Sequence, residues 1–297
     1  MTNHFVNQTA IVGVDIGGSH ITAAKINLVE GMLDQDSLVR TKINPHASAD
    51  EILGNWLKVL KLVFERSASE TIYLAVSMPG PFDYAAGVSL IKGMNKYEAL
   101  YGLSVKQFFS EQLAIPEEHI LFVNDAKAFL KGEAIWGAGR GVNKVFGITL
   151  GTGLGSAIYQ SGRVEDLNLG SSPFLGGIAE DYISTRGILA YYRAIGGKAA
   201  SDVKQLTQEL LNSSPAEQAM EKLSEWLSEF LIQQLPILKP DVVVVGGNIT
   251  KAHGHFLPKV IDLITKQNLY TPIKIAKMGE HAAMMGAASF INNLPTR

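Results

Sequence analysis

The chain has no cysteine. That excludes disulfides and thiolate metal sites, and it fits a reducing compartment. There is no surplus of charge either: 26 Lys and Arg stand against 28 Asp and Glu, a formal net charge of -2. No overall positive field therefore draws nucleic acid or an anionic membrane. Long hydrophobic runs are missing too. Val242-Val243-Val244-Val245 is strand-sized, far short of the roughly 20 residues a membrane helix needs. Residues 1–10 carry no basic-then-apolar leader pattern. The seven histidines show no metal spacing, and His253 and His255 read as a solvated loop. What is present is a chain of 297 residues with 46% hydrophobic and 18% charged side chains. It reads as a folded cytoplasmic protein with room for two ordinary domains.

Hydrophobic periodicity gives the organisation. Ile11 to Ile16 alternates and breaks at Gly17-Gly18-Ser19, and Ile21 to Leu28 reads as the returning strand of a hairpin. Glu51 to Arg66 has helical spacing, with Trp56 on its apolar face. Thr71 to Val76 is a strand ending on the breakers Ser77-Met78-Pro79-Gly80. Ile120 to Val123 is another buried strand, followed by Asn124-Asp125 and a helix from Ala126 to Trp136. The opening hairpin then recurs. Val145 to Leu150, Gly151-Thr152-Gly153 and Leu154 to Tyr159 repeat it at an offset of 134 residues, which suggests two related lobes facing one cleft. Helices are expected at 178–195, 203–211 and 215–235, and Asp241 to Val245 is a strand ending in Gly246-Gly247-Asn248. No Pro-rich linker separates the halves, so the hinge must lie within the fold.

Several of these positions can carry chemistry. Asp15 ends a buried strand beside a turn without large side chains, where backbone N–H groups can approach a phosphate and the carboxylate can hold Mg²⁺ through water. The alternative is an ordinary Gly-Gly hairpin turn, and Gly151-Thr152-Gly153 carries the same two readings. Neither is a Walker A loop, because no Gly-Lys-Ser/Thr follows. Neither fits a dinucleotide fingerprint, because strand-forming residues follow the turns. Asp125 either caps the helix it starts or points its carboxylate into the place where α/β enzymes put their chemistry. Glu133 reads as a surface or packing residue. Gly246-Gly247-Asn248 is either a tight strand-to-helix turn or a close approach of backbone to a flat ligand such as a purine.

Taken in order, these elements resemble the ROK family of sugar kinases and repressors, within the actin, hexokinase and Hsp70 superfamily. Asp15-Ile16-Gly17-Gly18-Ser19 looks like the first phosphate motif, and Ser77-Met78-Pro79-Gly80 like the sugar-side loop. Asn95 stands where a further sugar-side Asn is found. Asn124-Asp125 resembles the pair whose Asp is the catalytic base. Residues 150–155 resemble the second phosphate motif, and Gly246-Gly247 the adenosine motif.

The resemblance implies an α/β, two-lobed actin-like (ribonuclease H-like) fold, with a mixed sheet flanked by helices in each lobe. The lobes expected are 1–123 and 124–280, with 281–297 a helix packing back on the first. It implies that Asp125 takes the proton of a sugar hydroxyl, the 6-hydroxyl of a hexose, as it attacks the γ-phosphate of ATP, with Mg²⁺ near Asp15. Polyphosphate as donor, or a non-catalytic sugar sensor, are the competing readings. Where many members have Glu-x-Gly-His and a cysteine-rich zinc loop, this chain has Asn168-Leu169-Gly170-Ser171 and residues 172–177. Glu180 matches the later Glu of that segment. The sugar is therefore expected to meet Asn168, Ser171 and Glu180, the loop to be held by Pro173 and Phe174, and no structural zinc to be needed. The first hairpin begins near Ile11, leaving no room for a helix-turn-helix ahead of it, so DNA binding is not expected. Neither is a membrane partner, whereas self-association as a homodimer is compatible with the pattern.

Overall fold

The computed structural model describes residues 9–66, 71–94, 96–210 and 213–291; Asn95 lies outside them. The chain forms two compact units, one of residues up to Gly132 together with those from Glu280 onward, the other Glu133–Gly279.

The first unit is built on β1 (Thr9–Ile16) and β2 (His20–Asn27), the antiparallel hairpin anticipated from the alternation. β3 (Met32–Leu33) and β4 (Val39–Lys42) pair with β2. Helix α1 (Ala49–Glu65) follows, started by Ser48, whose hydroxyl accepts the Glu51 N–H. Its buried face carries Ile52, Leu53, Trp56, Val59, Leu60 and Val63, the 3.6-residue stripe that a helix packed on a sheet requires. β5 (Thr71–Met78) then lies parallel to β1. After a small ribbon of β6 (Phe82–Asp83) and β7 (Val88–Ser89) come α2 (Val105–Leu113), β8 (Ile120–Asn124) and α3 (Asp125–Ile135). β8 is parallel to β5, giving the order β3-β2-β1-β5-β8.

The second unit repeats the plan. β9 (Lys144–Leu150) and β10 (Leu154–Gln160) form the second hairpin, extended by β11 (Arg163–Asp166). A ribbon of β12 (Pro173–Phe174) and β13 (Gly177–Ile178) leads into α4 (Ala179–Tyr182) and α5 (Thr185–Ala194), two helices where one was expected. α6 (Val203–Gln208) and the long α7 (Ser214–Leu238) precede β14 (Val242–Gly246), α8 (Leu257–Thr265) and β15 (Ile273–Ile275). The sheet order β11-β10-β9-β14-β15 has the same pattern as in the first unit, a hairpin continued by parallel strands. The chain then re-enters the first unit as α9 (Ala282–Ala288), which packs on β1 and β5. Its small residues permit close approach: a Cβ on Gly286 would fall within van der Waals radii of the Ala128 carbonyl.

One expectation is corrected, and one open alternative is decided. The boundary lies after Gly132 rather than at 124, because β8 pairs with β5 and the start of α3 is packed by α9. Asp125 therefore belongs to the first unit. Glu133 is no surface residue: it is fully buried, and its carboxylate accepts the N–H groups of Ala138 (2.7 Å), Lys277 (3.1 Å) and Met278 (2.7 Å). Among the described residues no helix is long and apolar enough to cross a membrane.

Glu133→Gln replaces one acceptor oxygen by a donor facing N–H groups that are already donors. The loss of charge-assisted bonds in a buried place is expected to cost about 2–4 kcal/mol. Urea denaturation followed by tryptophan fluorescence should show a clearly lower midpoint.

Candidate active site

Three parallel strands of the first unit end together, and the register of their pairing gathers the polar residues. Asp15 at the end of β1 lies opposite Ser77 of β5, and Met78 lies opposite Asn124 of β8. Ser77 is fully buried and its hydroxyl donates to Asp15 Oδ1 at 2.9 Å. The C-terminal edge of parallel strands is where open α/β sheets bind ligands.

The Asn-Asp pair divides its labour. Asn124 Oδ1 accepts the Lys127 N–H at 3.1 Å, which makes Asn124 the cap of α3, and Asn124 Nδ2 donates to the Tyr84 hydroxyl at 3.2 Å. Tyr84 in turn donates to the Met78 carbonyl at 3.1 Å. Asp125 Oδ1 accepts the adjacent Ala126 N–H at 2.9 Å. Tyr84 was not singled out in the sequence; nothing but its place after the Pro79-Gly80 breaker could have marked it. Pro79 is buried, and a side chain at Gly80 would press on the Tyr84 hydroxyl.

Asp15 is half-buried, and desolvation pushes its pKa up to about 6. The Ser77 hydrogen bond opposes that rise, the negative charge of Asp125 adds to it, and Arg40 lowers it slightly. Two carboxylates thus feel one another at the strand ends. The turn beside them, Gly17-Gly18-Ser19, has a cationic flank. His20 pairs with Lys42 and Thr22 with Arg40, and burial, then Arg40 and Lys42, lower the pKa of His20.

The second unit assembles its own set. Gly151 donates to the Gly153 carbonyl at 3.0 Å and accepts from the Thr185 N–H at 2.8 Å, closing the turn around the exposed Thr152. A Cβ on Gly151 would meet nothing, whereas one on Gly153 would collide with Glu180 Oε2. The same Glu180 oxygen accepts the Leu154 N–H at 3.0 Å, so the carboxylate expected on the sugar side buttresses the second glycine turn. Gly246 pairs with Thr149, and Gly247, at φ 91°, sits against the end of β9. Asn248 follows it, exposed.

The substituted loop also packs here. Asn168 stands at φ 46°, accepts from the Ser171 hydroxyl at 3.3 Å and donates its N–H to Asp166 at 2.9 Å. Phe174 is buried against Tyr182 and Phe230, but Pro173 is exposed, so of the two expected anchors Phe174 alone packs its side chain into the core. Ser172 replaces Pro173 as the second hold: its carbonyl accepts the Ala179 N–H at 3.0 Å. Among the described residues no group of three or more His, Asp or Glu could by itself enclose a metal. Mg²⁺ does not require one, since it keeps several waters and binds through one or two carboxylates plus phosphates. Asp15 fits that donor set as one such carboxylate.

The ROK family model matches residues 11–179 and 170–293. The chain is 22% identical to the glucokinase of Thermotoga maritima, over 95% of this chain and 96% of that one. It is 26% identical to the N-acetylmannosamine kinase of Vibrio vulnificus, over 94% and 96%. A ROK family glucokinase from Streptomyces griseus, solved in complex with glucose and AMPPNP, superposes with a TM-score of 0.79 at 20% identity, over 96% of this chain and 99% of that one. The fold is the α/β fold of the actin-like ATPases.

Because the folded pKa of Asp15 is raised above its ordinary 3.8, the contribution of this group is most favourable below about pH 4 and is lost as the pH rises through about 6. Asp15→Asn keeps an acceptor for Ser77 without the charge. It should stabilise the protein by about 1–2 kcal/mol at pH 8, allowing for solvent screening, and leave stability unchanged at pH 4. Paired urea melts at the two pH values measure this.

Proposed function

The chain belongs to the ROK family, and on that premise we propose that it is a sugar kinase. It transfers the γ-phosphoryl group of ATP to a hydroxyl of a hexose, the 6-hydroxyl being the expected acceptor. The observation that carries the reading is the pair of carboxylates Asp15, near the end of β1 and hydrogen-bonded to Ser77, and Asp125, the first residue of α3 directly after β8, whose charge raises the pKa of Asp15. Phosphoryl transfer asks a protein mainly for positioning and for placed charge, and this edge supplies both.

In this reading Asp125 is the general base. Its carboxylate takes the proton of the attacking hydroxyl, while Asn124, held by Tyr84 and capping α3, fixes the residue that precedes it. Within the turns at Gly17 to Ser19 and at Gly151 to Gly153, whose first amides are spent on the turns themselves, the remaining backbone N–H groups would donate to phosphate oxygens, and Gly246, Gly247 and Asn248 offer a flat approach for the adenosine. Mg²⁺, when bound with the nucleotide, offsets negative charge on the phosphates, and Asp15 would hold it. Asp15 must be ionised to do so, so activity should fall as the pH drops below about 6. Pro79, Gly80 and Asn95 belong to the acceptor side by sequence, as do Asn168 and Ser171. An amide and a hydroxyl at those last two places, instead of a carboxylate and an imidazole, give a neutral hydrogen-bonding surface. A site built around hydroxyl partners discriminates strongly when the partners change, so sugar selectivity should differ from that of zinc-containing relatives.

The decisive experiment is a coupled assay over hexoses and N-acetylated amino sugars, with ATP and polyphosphate compared as donors. Turnover with ATP is expected. Sugar binding without turnover under any donor would make the protein a sensor instead. Asp125→Asn should lower kcat about 10²–10⁴-fold, since an amide cannot accept the proton, while nucleotide affinity is retained; near-normal turnover would reduce Asp125 to a structural residue. A third outcome concerns metals. After exhaustive chelation, Mg²⁺ alone should restore full activity, and stoichiometric zinc in the purified protein would contradict the reading.

A further inference from the structure

Two carbonyl groups of the turn after β1, those of Gly17 and Ser19, are tied down by the protein. Gly17 donates its N–H to the His20 carbonyl at 2.9 Å, and the Ser19 carbonyl accepts the Ile43 N–H at 2.8 Å. The Gly17 carbonyl is taken by a side chain 80 residues away in sequence: the Tyr97 hydroxyl donates to it at 2.6 Å. In a trans peptide the C=O and the following N–H point in opposite directions. By drawing the Gly17 carbonyl toward itself, Tyr97 turns the Gly18 N–H the other way. That is the disposition an anion-binding turn requires of its amides.

Tyr97 is an unusual residue in its own right. It is fully buried, yet its backbone stands at φ 52°, a region that bulky residues avoid and occupy only when their surroundings enforce it. Its N–H donates to the Pro45 carbonyl at 2.7 Å, and its ring meets Trp56 edge-to-face at 5.3 Å. Burial and the nearby Asp15 push the phenol pKa upward, so the hydroxyl keeps its proton and remains a donor. Packing against Trp56 needs only an aromatic ring. The directed hydroxyl does something that a ring alone cannot.

We propose that Tyr97 is a positioning residue for the nucleotide, its hydroxyl orienting the Gly17–Gly18 peptide so that the Gly18 amide faces a phosphate oxygen. The inference rests on the kinase reading above and adds a group that the sequence motifs do not contain. It also joins the segment after Asn95, placed by sequence on the acceptor side, to the phosphate turn. The hydroxyl acts through the backbone and touches no reacting atom.

The test uses Tyr97→Phe, which keeps the ring and removes the donor. Affinity for a non-hydrolysable ATP analogue with Mg²⁺ is measured calorimetrically, alongside thermal unfolding and the Gly18 amide resonance in ¹⁵N-glycine-labelled protein. The variant should bind the analogue about three- to tenfold more weakly, as expected for one lost hydrogen bond. Its Tm should stay within about 2 °C of wild type, a smaller shift than about 1 kcal/mol would cause in a domain of ordinary size. The shift of the Gly18 amide on adding the analogue should shrink. Unchanged analogue affinity in Tyr97→Phe would overturn the proposal and leave the kinase reading standing. Weaker binding with a large fall in Tm and an intact Gly18 response would make Tyr97 a packing residue only. A wild-type protein that does not bind the analogue at all would remove the kinase reading, and this inference with it.

Discussion

The parallel register that sets Asp15 opposite Ser77 and Met78 opposite Asn124 governs the whole of the first unit's site. Side chains alternate faces along a strand, so a slip of one residue in either pairing would exchange the faces of its side chains and part Ser77 from Asp15. The apolar half of each strand enforces the register. Val12, Val14 and Ile16 of β1 and Leu74, Val76 and Met78 of β5 are all completely buried. Once they are seated, Ser77 and Asp15 meet without further adjustment, and the carboxylate inherits a desolvated place that keeps its proton affinity high. The electrostatics of the site are thus a by-product of hydrophobic packing a few residues away.

The second unit shows the same dependence in a different form. Its glycine turn is shaped by a carboxylate, Glu180, which fills the space where a side chain on Gly153 would lie. The first turn is shaped instead by a phenol and by the Ile43 amide. Two hairpins of matching length and offset therefore reach similar turns with unrelated supports. The backbone plan is common to both units, while the side chains that stiffen it are particular to each.

Much of this was legible in the residues. Alternation marked the hairpins, the 3.6-residue stripe marked α1, and the glycine breaks located both turns, because those features follow from local periodicity. What escaped were groups whose meaning depends on distant partners. Glu133 looks like any helical glutamate until Lys277 and Met278 are folded onto it. Tyr84 and Tyr97 sit in stretches without periodicity, and only tertiary structure brings their hydroxyls to the Met78 and Gly17 carbonyls. The domain boundary was missed for a related reason. The Asn-Asp pair looks like the start of something new, yet the strand before it is an interior neighbour of β5 and the helix after it is covered by α9.

The return of α9 to β1 and β5 has a bearing on how the chain comes to be folded during synthesis. The second unit is one continuous stretch, Glu133–Gly279. The first is not, because β1 and β5 keep part of one face uncovered until the helix Ala282–Ala288 has been made. Long loop closure delays contacts of this kind. The unit translated first is therefore the one completed last, and for most of synthesis its apolar strands depend on whatever else can shield them.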